Sequence, residues 1–305
     1  MSTVYVAPVS FGLGDLVVSL PAVQGLIGQG DATWLVARSA VQAAIAERID
    51  GLRGCVDADA FDADAFDAIA ADQMDGEARY VDLRDHPLQR DHWWGSAAFE
   101  QAYPGFRIND IIGRMCADFA ISADLASPTP LTSFPRPELA SSVVFVMDTD
   151  GPAKRWPDRR WLALAGALGD VGVEVRALAR AESGGVGSIA PVAAPTPGDV
   201  VDVLTAARAV VGVDSGPTHL AVQQGTPTVT ICRPGNIYLR PWPHTRAVIG
   251  DPCDPACVAS EEDYAYNDRV DLRGFEWQPR RCPVDGRCLD AVHADAVLQA
   301  LGEIV

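Results

Sequence analysis

The stretch Ala209-Val-Val-Gly-Val-Asp-Ser-Gly-Pro-Thr-His-Leu-Ala221 decides the fold. Its first five residues are apolar or glycine and read as a buried strand. The strand stops at Asp214 and turns over Ser215-Gly216, and Pro217 falls near the first position of a helix. A strand that feeds a tight glycine turn and a helix start is where α/β folds hold phosphates. First-turn N–H groups point outward there, and the helix dipole favours negative charge. The strand also delivers Asp214 to that point, and the helix adds Thr218 and His219. Packing a core would not require so many polar groups at one strand end.

The same alternation recurs on both sides of this unit. In the first half, a strand over 4–9 precedes the loop Ser10-Phe-Gly-Leu-Gly14 and a helix over about 15–28, with Leu16, Leu20, Val23 and Ile27 on one face. A strand over 34–37 follows, then Ser39 as N-cap of a helix reaching about Ile49, a strand over 80–83 and a helix over 108–119. In the second half, strands over 143–147, 173–178, 209–213 and 228–232 alternate with helices over 158–168, 200–207 and 218–224. Gly225 suits the position just past the last of these helices. Four prolines within residues 127–137 mark an extended, semi-rigid linker between the halves. The expected organisation is two doubly wound, Rossmann-like α/β domains (1–126 and 142–289), a linker (127–141) and a terminal helix (290–305). They would face each other across a cleft, with ligands at the carboxyl ends of the strands.

Composition limits the function. With 305 residues, 48% hydrophobic and 21% charged, the chain has globular composition. A net charge of −17 argues against general nucleic-acid binding and against docking on anionic membrane. No apolar run approaches the ~20 residues of a membrane span. No signal peptide is evident, so a cytoplasmic location is the expectation. The aspartate-rich stretch 57–75 lacks the glycine and glutamate of a calcium loop and reads as a solvated acidic segment.

Three further groups could carry chemistry. Asp15 opens the first helix after Gly12 and Gly14; it is either a helix cap or a general base at the cleft floor. The segment from Thr149 through Lys154-Arg-Trp-Pro157 to Arg159-Arg160 concentrates cations in an acidic chain, where Lys154 and helix N–H groups could hold a diphosphate. The loop containing His86, Arg90, His92 and Trp93 mixes aromatic and polar groups as sugar-binding surfaces do, and with Gly14 it is the candidate acceptor surface; an exposed loop with buried tryptophans is the alternative. Finally, Cys253, Cys257, Cys282 and Cys288 pair into two knuckles, Cys-x3-Cys and Cys-x5-Cys, separated by 24 residues. Such knuckles suit a structural tetrathiolate iron or zinc site, against unligated thiols or a disulfide formed on oxidation.

Together these motifs resemble glycosyltransferase family 9, which contains the ADP-heptose:lipopolysaccharide heptosyltransferases. The resemblance rests on Gly14-Asp15 with Leu20-Pro-Ala22, on Lys154-Arg-Trp-Pro157, and on Val213-Asp-Ser-Gly-Pro-Thr-His-Leu220 followed by Gly225-Thr-Pro227. It implies the two-domain GT-B fold and inverting sugar transfer from a nucleotide-diphosphate donor, with neither an organic cofactor nor a metal needed for the chemistry. Asp15 matches the catalytic base and Lys154 the residue that neutralises the leaving diphosphate. Asp214 would hold sugar hydroxyls. Ser215, Gly216 and His219, with Pro217 and Thr218 of the same turn and Thr149 nearby, would complete the donor site. The cysteine cluster resembles the four-cysteine iron site of autotransporter heptosyltransferases. The acceptor could be lipopolysaccharide core, a protein side chain or a small natural-product scaffold; an anionic core would call for a more basic surface. A non-catalytic nucleotide-sugar-binding module and a GT-B-type epimerase are the competing readings.

Overall fold

The computed structural model describes residues 2–57, 78–92, 94, 97–149, 154–179, 186–234, 236–251 and 287–305. The aspartate-rich stretch (beyond Asp57), Trp93, Cys253, Cys257 and Cys282 lie outside the described residues.

In the first half, β1 (Thr3–Ala7), β2 (Ala32–Ala37), β3 (Gly54–Asp57) and β4 (Ala78–Asp82) form a parallel sheet in the order β3-β2-β1-β4. The described helices there are α1 (Leu13–Gly28), α2 (Ala40–Ala46), α3 (Pro87–Arg90), α4 (Ala97–Ala102) and α5 (Ile108–Asp118). In the second half, β5 (Ser142–Val146), β6 (Glu174–Ala179), β7 (Ala190–Ala193), β8 (Ala209–Val213), β9 (Thr228–Cys232) and β10 (Thr245–Ile249) form a parallel six-stranded sheet, β10-β9-β8-β5-β6-β7. Counted within that half, the order is 3-2-1-4-5-6, that of a Rossmann sheet. Its helices are α6 (Asp158–Asp170), α7 (Pro197–Ala206), α8 (Gly216–Gln223), α9 (Arg287–Asp290) and α10 (Ala294–Gly302).

Local chemistry accounts for several boundaries. Ser39 caps α2 by accepting the Gln42 N–H, and Thr196 caps α7 through Asp199. Past α8, Gly225 takes φ +77°, a left-handed turn that lets the chain re-enter the sheet as β9. Of the terminal helix expected over 290–305, α10 takes Ala294–Gly302; before it, a turn in which the Val292 N–H donates to Leu289 O follows α9.

The halves are more intimately joined than two bodies on a tether. α1 is buried nearly all round, from Leu16 to Leu26, because it lies between its own sheet and α8. One core therefore runs through both halves, with Leu16, Leu20 and Val23 in the same cluster as Leu204, Leu220 and Ala221. The proline-rich stretch is held in the seam. Gln24 and Gln223 both donate to Thr129 O, Gln224 bonds both backbone groups of Leu131, and Asp202 accepts the Phe134 N–H. Arg48 of the first half forks onto Asp202 of the second at 3.0 and 3.2 Å, with the Phe134 ring stacked on its guanidinium.

Candidate functional site

The strand order reverses between β1 and β4 in one sheet and between β5 and β8 in the other, and crevices open at the carboxyl ends of such strands. The chain leaving β1 leads to Asp15, the chain leaving β5 to Lys154, and Asp214 directly follows β8.

Asp214 organises the second crevice. Its Oδ2 lies 2.8 Å from Lys154 Nζ, and its Oδ1 lies 2.8 Å from His219 Nε2. Burial opposes ionisation of Asp214, yet the Lys154 ammonium and the His219 hydrogen bond outweigh it and hold the carboxyl well below the ordinary range. Burial likewise opposes charge on Lys154, and Asp214 reverses it, so its pKa is raised. Because Asp214 is ionised, His219 Nε2 must carry the proton that bonds it; no described residue bonds Nδ1.

The first turn of α8 is shaped around this pair. Pro217 occupies an opening position, where a missing N–H costs nothing. Ser215 is the N-cap but makes no side-chain cap bond, so the turn's N–H groups are left without a side-chain acceptor from it. Thr218 is fully buried and donates its hydroxyl to Val213 O, so in its 3.1 Å contact with Ser215 Oγ the serine is the donor. Thr218 thus braces the strand end from inside. Thr149, after β5, is also buried.

Lys154 is anchored by its neighbours. Trp156 is buried, stacks edge-on against Trp161 at 4.8 Å and donates Nε1 to Val292 O. The expected four-cation cluster divides. Arg159 pairs with Asp290, Arg160 bonds His293 and Asp290 O, and Arg155 is exposed, leaving Lys154 as the member that meets Asp214.

Asp15 sits in the first turn of α1, half-buried, and its Oδ2 accepts the Gly12 N–H at 2.9 Å. That bond caps the start of α1 and leaves Oδ1 without a bond to a described residue. The loop before it is fixed from three sides. Ser19 Oγ accepts from Val9 N–H, Gln42 donates to Ser10 O and Gly12 O, and Gln89 donates to Val9 O. The openings of α1 and α8 abut: a Cβ on Gly216 would come within 2.9 Å of Leu13 Cβ and 3.0 Å of Gly14 N, and one on Gly14 would touch Gly216 Cα at 3.5 Å. Gly14 and Gly216 thus permit the close approach of the two helix openings, and a Cβ on Gly14, next to Asp15 in the chain, would lie 3.9 Å from His219 Cδ2.

The loop after β4 is committed to its own structure. His86 Nδ1 accepts the Leu88 N–H and Nε2 faces Asp118 Oδ2 at 3.2 Å, so both ring nitrogens have partners. Arg90 is exposed and pairs with Asp91 and Asp85, while His92 packs edge-on against Tyr103 at 5.2 Å and Phe99 at 6.0 Å.

Three residues at the site escaped sequence reading, all in the loop after β9. Tyr238 packs against the His219 ring, and both it and Arg233 lie within electrostatic reach of Lys154. Arg240 is buried, and burial pushes its pKa down to about 10. It crosses to the first half, donating to Asn109 Oδ1 at 2.5 Å and Val18 O at 3.0 Å. Irregular loops carry no periodicity to mark such residues.

Among the described residues, no group of three His, Cys, Asp or Glu side chains could hold a metal ion. Cys288 is buried, and its carbonyl accepts the Asp251 N–H at 3.3 Å. No helix among the described residues is long and apolar enough to cross a membrane.

Residues 118–262 match the model of glycosyltransferase family 9 (heptosyltransferase). Comparison with curated proteins gave no match. Among solved structures, E. coli heptosyltransferase WaaC with ADP-2-deoxy-2-fluoro heptose is similar over 99% of this chain and 100% of its own, at 16% identity and a TM-score of 0.62. The family 9 glycosyltransferase of Veillonella parvula gives 99% and 97% coverage, 13% identity and a TM-score of 0.66. The iron-containing dodecameric glycosyltransferase TibC of enterotoxigenic E. coli gives 99% and 76%, 15% identity and 0.61. At these identities the structural likeness is one of fold. The fold and the matched domain define a glycosyltransferase of GT-B architecture. Within that class, residues 118–262 are similar to the glycosyltransferase family 9 (heptosyltransferase) domain.

Proposed function

We propose that the protein is an inverting transferase that moves heptose or a related sugar from an ADP-linked donor to an acceptor hydroxyl. The observation that carries this reading is the Lys154–Asp214–His219 cluster at the opening of α8, with Leu13 and Gly14 of the α1 opening packed against Gly216. The acceptor oxygen attacks the anomeric carbon opposite the diphosphate; the new C–O bond forms as the old one breaks. Asp15 takes the acceptor's proton. A carboxylate is a weak base for a resting hydroxyl, but in the transition state that oxygen becomes acidic. Negative charge grows on the leaving diphosphate, where Lys154 and the N–H groups of Ser215, Gly216 and the first turn of α8 stabilise it. Asp214 accepts sugar hydroxyls and keeps Lys154 and His219 in place. Thr218 braces this turn from within the fold through Val213 O, and Thr149 supplies a hydroxyl near the diphosphate.

The acceptor class is carbohydrate, protein side chain or small scaffold, and the −17 charge disfavours a strongly anionic one. For the loop of His86, Arg90, His92 and Trp93, acceptor contact falls to Arg90, His92 and Trp93, since His86 is spent on Leu88 and Asp118. We further propose that Cys253, Cys257, Cys282 and Cys288 hold a structural iron or zinc. The bond between Asp251 and Cys288 supports this, because it brings both ends of the cysteine-bearing segment together. Thiols kept as ligands suit a reducing compartment such as the cytoplasm.

The test is thermal stabilisation by a panel of nucleotide sugars. An ADP-linked sugar should raise the melting temperature most. Failure of every nucleoside diphosphate and its sugars to do so would overturn the reading.

A further inference from the structure

The loop between β9 and β10 belongs to the second half but is built into the first. Ile237 O accepts the Ile108 N–H at 2.9 Å, Arg240 reaches Val18 O and Asn109, and Trp242 Nε1 donates to Leu125 O at 3.1 Å. Tyr238 rides on this loop, its own N–H held by Asn236 Oδ1 at 2.8 Å. Its ring centroid lies 6.4 Å from that of His219 and 6.0 Å from that of Trp94. Trp94 is itself fixed, buried with Nε1 donating to Leu88 O at 2.7 Å. Tyr238 therefore touches the Asp214 cluster on one side and the end of the proposed acceptor loop on the other. It remains only partly buried.

We propose that Tyr238 is a substrate-positioning residue at the junction of donor and acceptor, an aromatic wall that holds the transferred sugar in line for the acceptor hydroxyl and keeps water from that line. This rests on the glycosyl-transfer reading above. The chemistry suits a sugar: its C–H faces pack on an aromatic face, while a phenol at the rim can meet a hydroxyl. A residue that merely filled the seam would affect stability alone. A wall at the reacting centre sets the partition between transfer to acceptor and hydrolysis of the donor by water.

The experiment measures that partition, with ADP affinity and melting temperature, in wild type, Tyr238→Phe and Tyr238→Leu. Tyr238→Phe keeps the ring and should hold the transfer-to-hydrolysis ratio within about twofold of wild type. Tyr238→Leu should lower the ratio about tenfold while ADP affinity stays within about threefold. Should Tyr238→Leu not fold, Tyr238→His, with a smaller planar ring, must still lower the ratio relative to Tyr238→Phe. An unchanged ratio in the variants that fold, or a loss of rate that follows melting temperature with the ratio fixed, overturns the inference and leaves the transferase reading standing. A folded wild type that neither transfers nor hydrolyses any nucleotide sugar overturns the transferase reading, and this inference with it.

Discussion

Lys154 Nζ and Asp214 Oδ2 form an ion pair at 2.8 Å in the crevice where the second sheet reverses its strand order. The pair is a counterbalance. Without Asp214, burial would favour a neutral amine at Lys154; without Lys154, burial would favour a neutral acid at Asp214. A diphosphate entering this crevice meets an ammonium already charged and already placed.

Replacing Asp214 by Asn removes the counter-charge and retains the shape. ADP should bind the variant at least as tightly as it binds wild type, since no carboxylate then repels the diphosphate, and the diphosphate itself becomes the counter-charge that keeps Lys154 protonated. Turnover should fall tenfold or more, about 1.4 kcal/mol or greater, because sugar hydroxyls lose an anionic acceptor. Calorimetric titration and steady-state rates separate the two effects, and weaker ADP binding would count against the arrangement.

Lys154→Met should weaken ADP binding by about 10- to 100-fold, the usual worth of a charge-assisted hydrogen bond of about 1.5–3 kcal/mol. Lys154→Arg should not restore it, because a planar fork cannot take the place of a compact ammonium beside Asp214.

The ion pair also sets a dependence on pH. In folded protein Asp214 stays ionised where the unfolded carboxyl, near ~3.9, is protonated. Below that pH the unfolded chain binds more protons, so stability falls as pH falls and recovers as it rises. Lys154 gives the opposite limb: its contribution is complete below ~10.4 and is lost as pH rises through its raised folded value. Denaturant unfolding across pH should show both limbs flattened in Asp214→Asn.

Gly216→Ala tests the apposition of α1 and α8. The new Cβ would press on Leu13 Cβ and Gly14 N, at 2.9 and 3.0 Å. Overpacking there should destabilise by about 1–3 kcal/mol and reduce transfer beyond what stability explains. A variant as stable and active as wild type would show that the two helix openings need not meet.

Much of this was legible in the sequence because buried parallel strands write themselves as apolar runs. β8 and β9 fall on the expected residues, and Ser39 caps α2 as its position suggested. The strands that escaped, β3, β7 and β10, lie at sheet edges, and each has exposed positions that break the run. The terminal helix was read through the turn at Val292 because the apolar pattern resumes in α10. At the site, Asp15, Lys154, Asp214 and His219 stood out as polar groups at strand ends. Tyr238 and Arg240 could not, since their importance comes from a loop folding back across the seam.

The most direct measurement is transfer from an ADP-linked sugar by wild type and Asp15→Ala, with ADP affinity determined on both proteins. Wild type should release ADP and form a glycosylated acceptor, whereas Asp15→Ala should bind ADP within about threefold of wild type and show no transfer above background. Transfer by Asp15→Ala at the wild-type rate would contradict the assignment of the base, and a folded wild type that releases no nucleotide from any sugar donor would contradict the account as a whole.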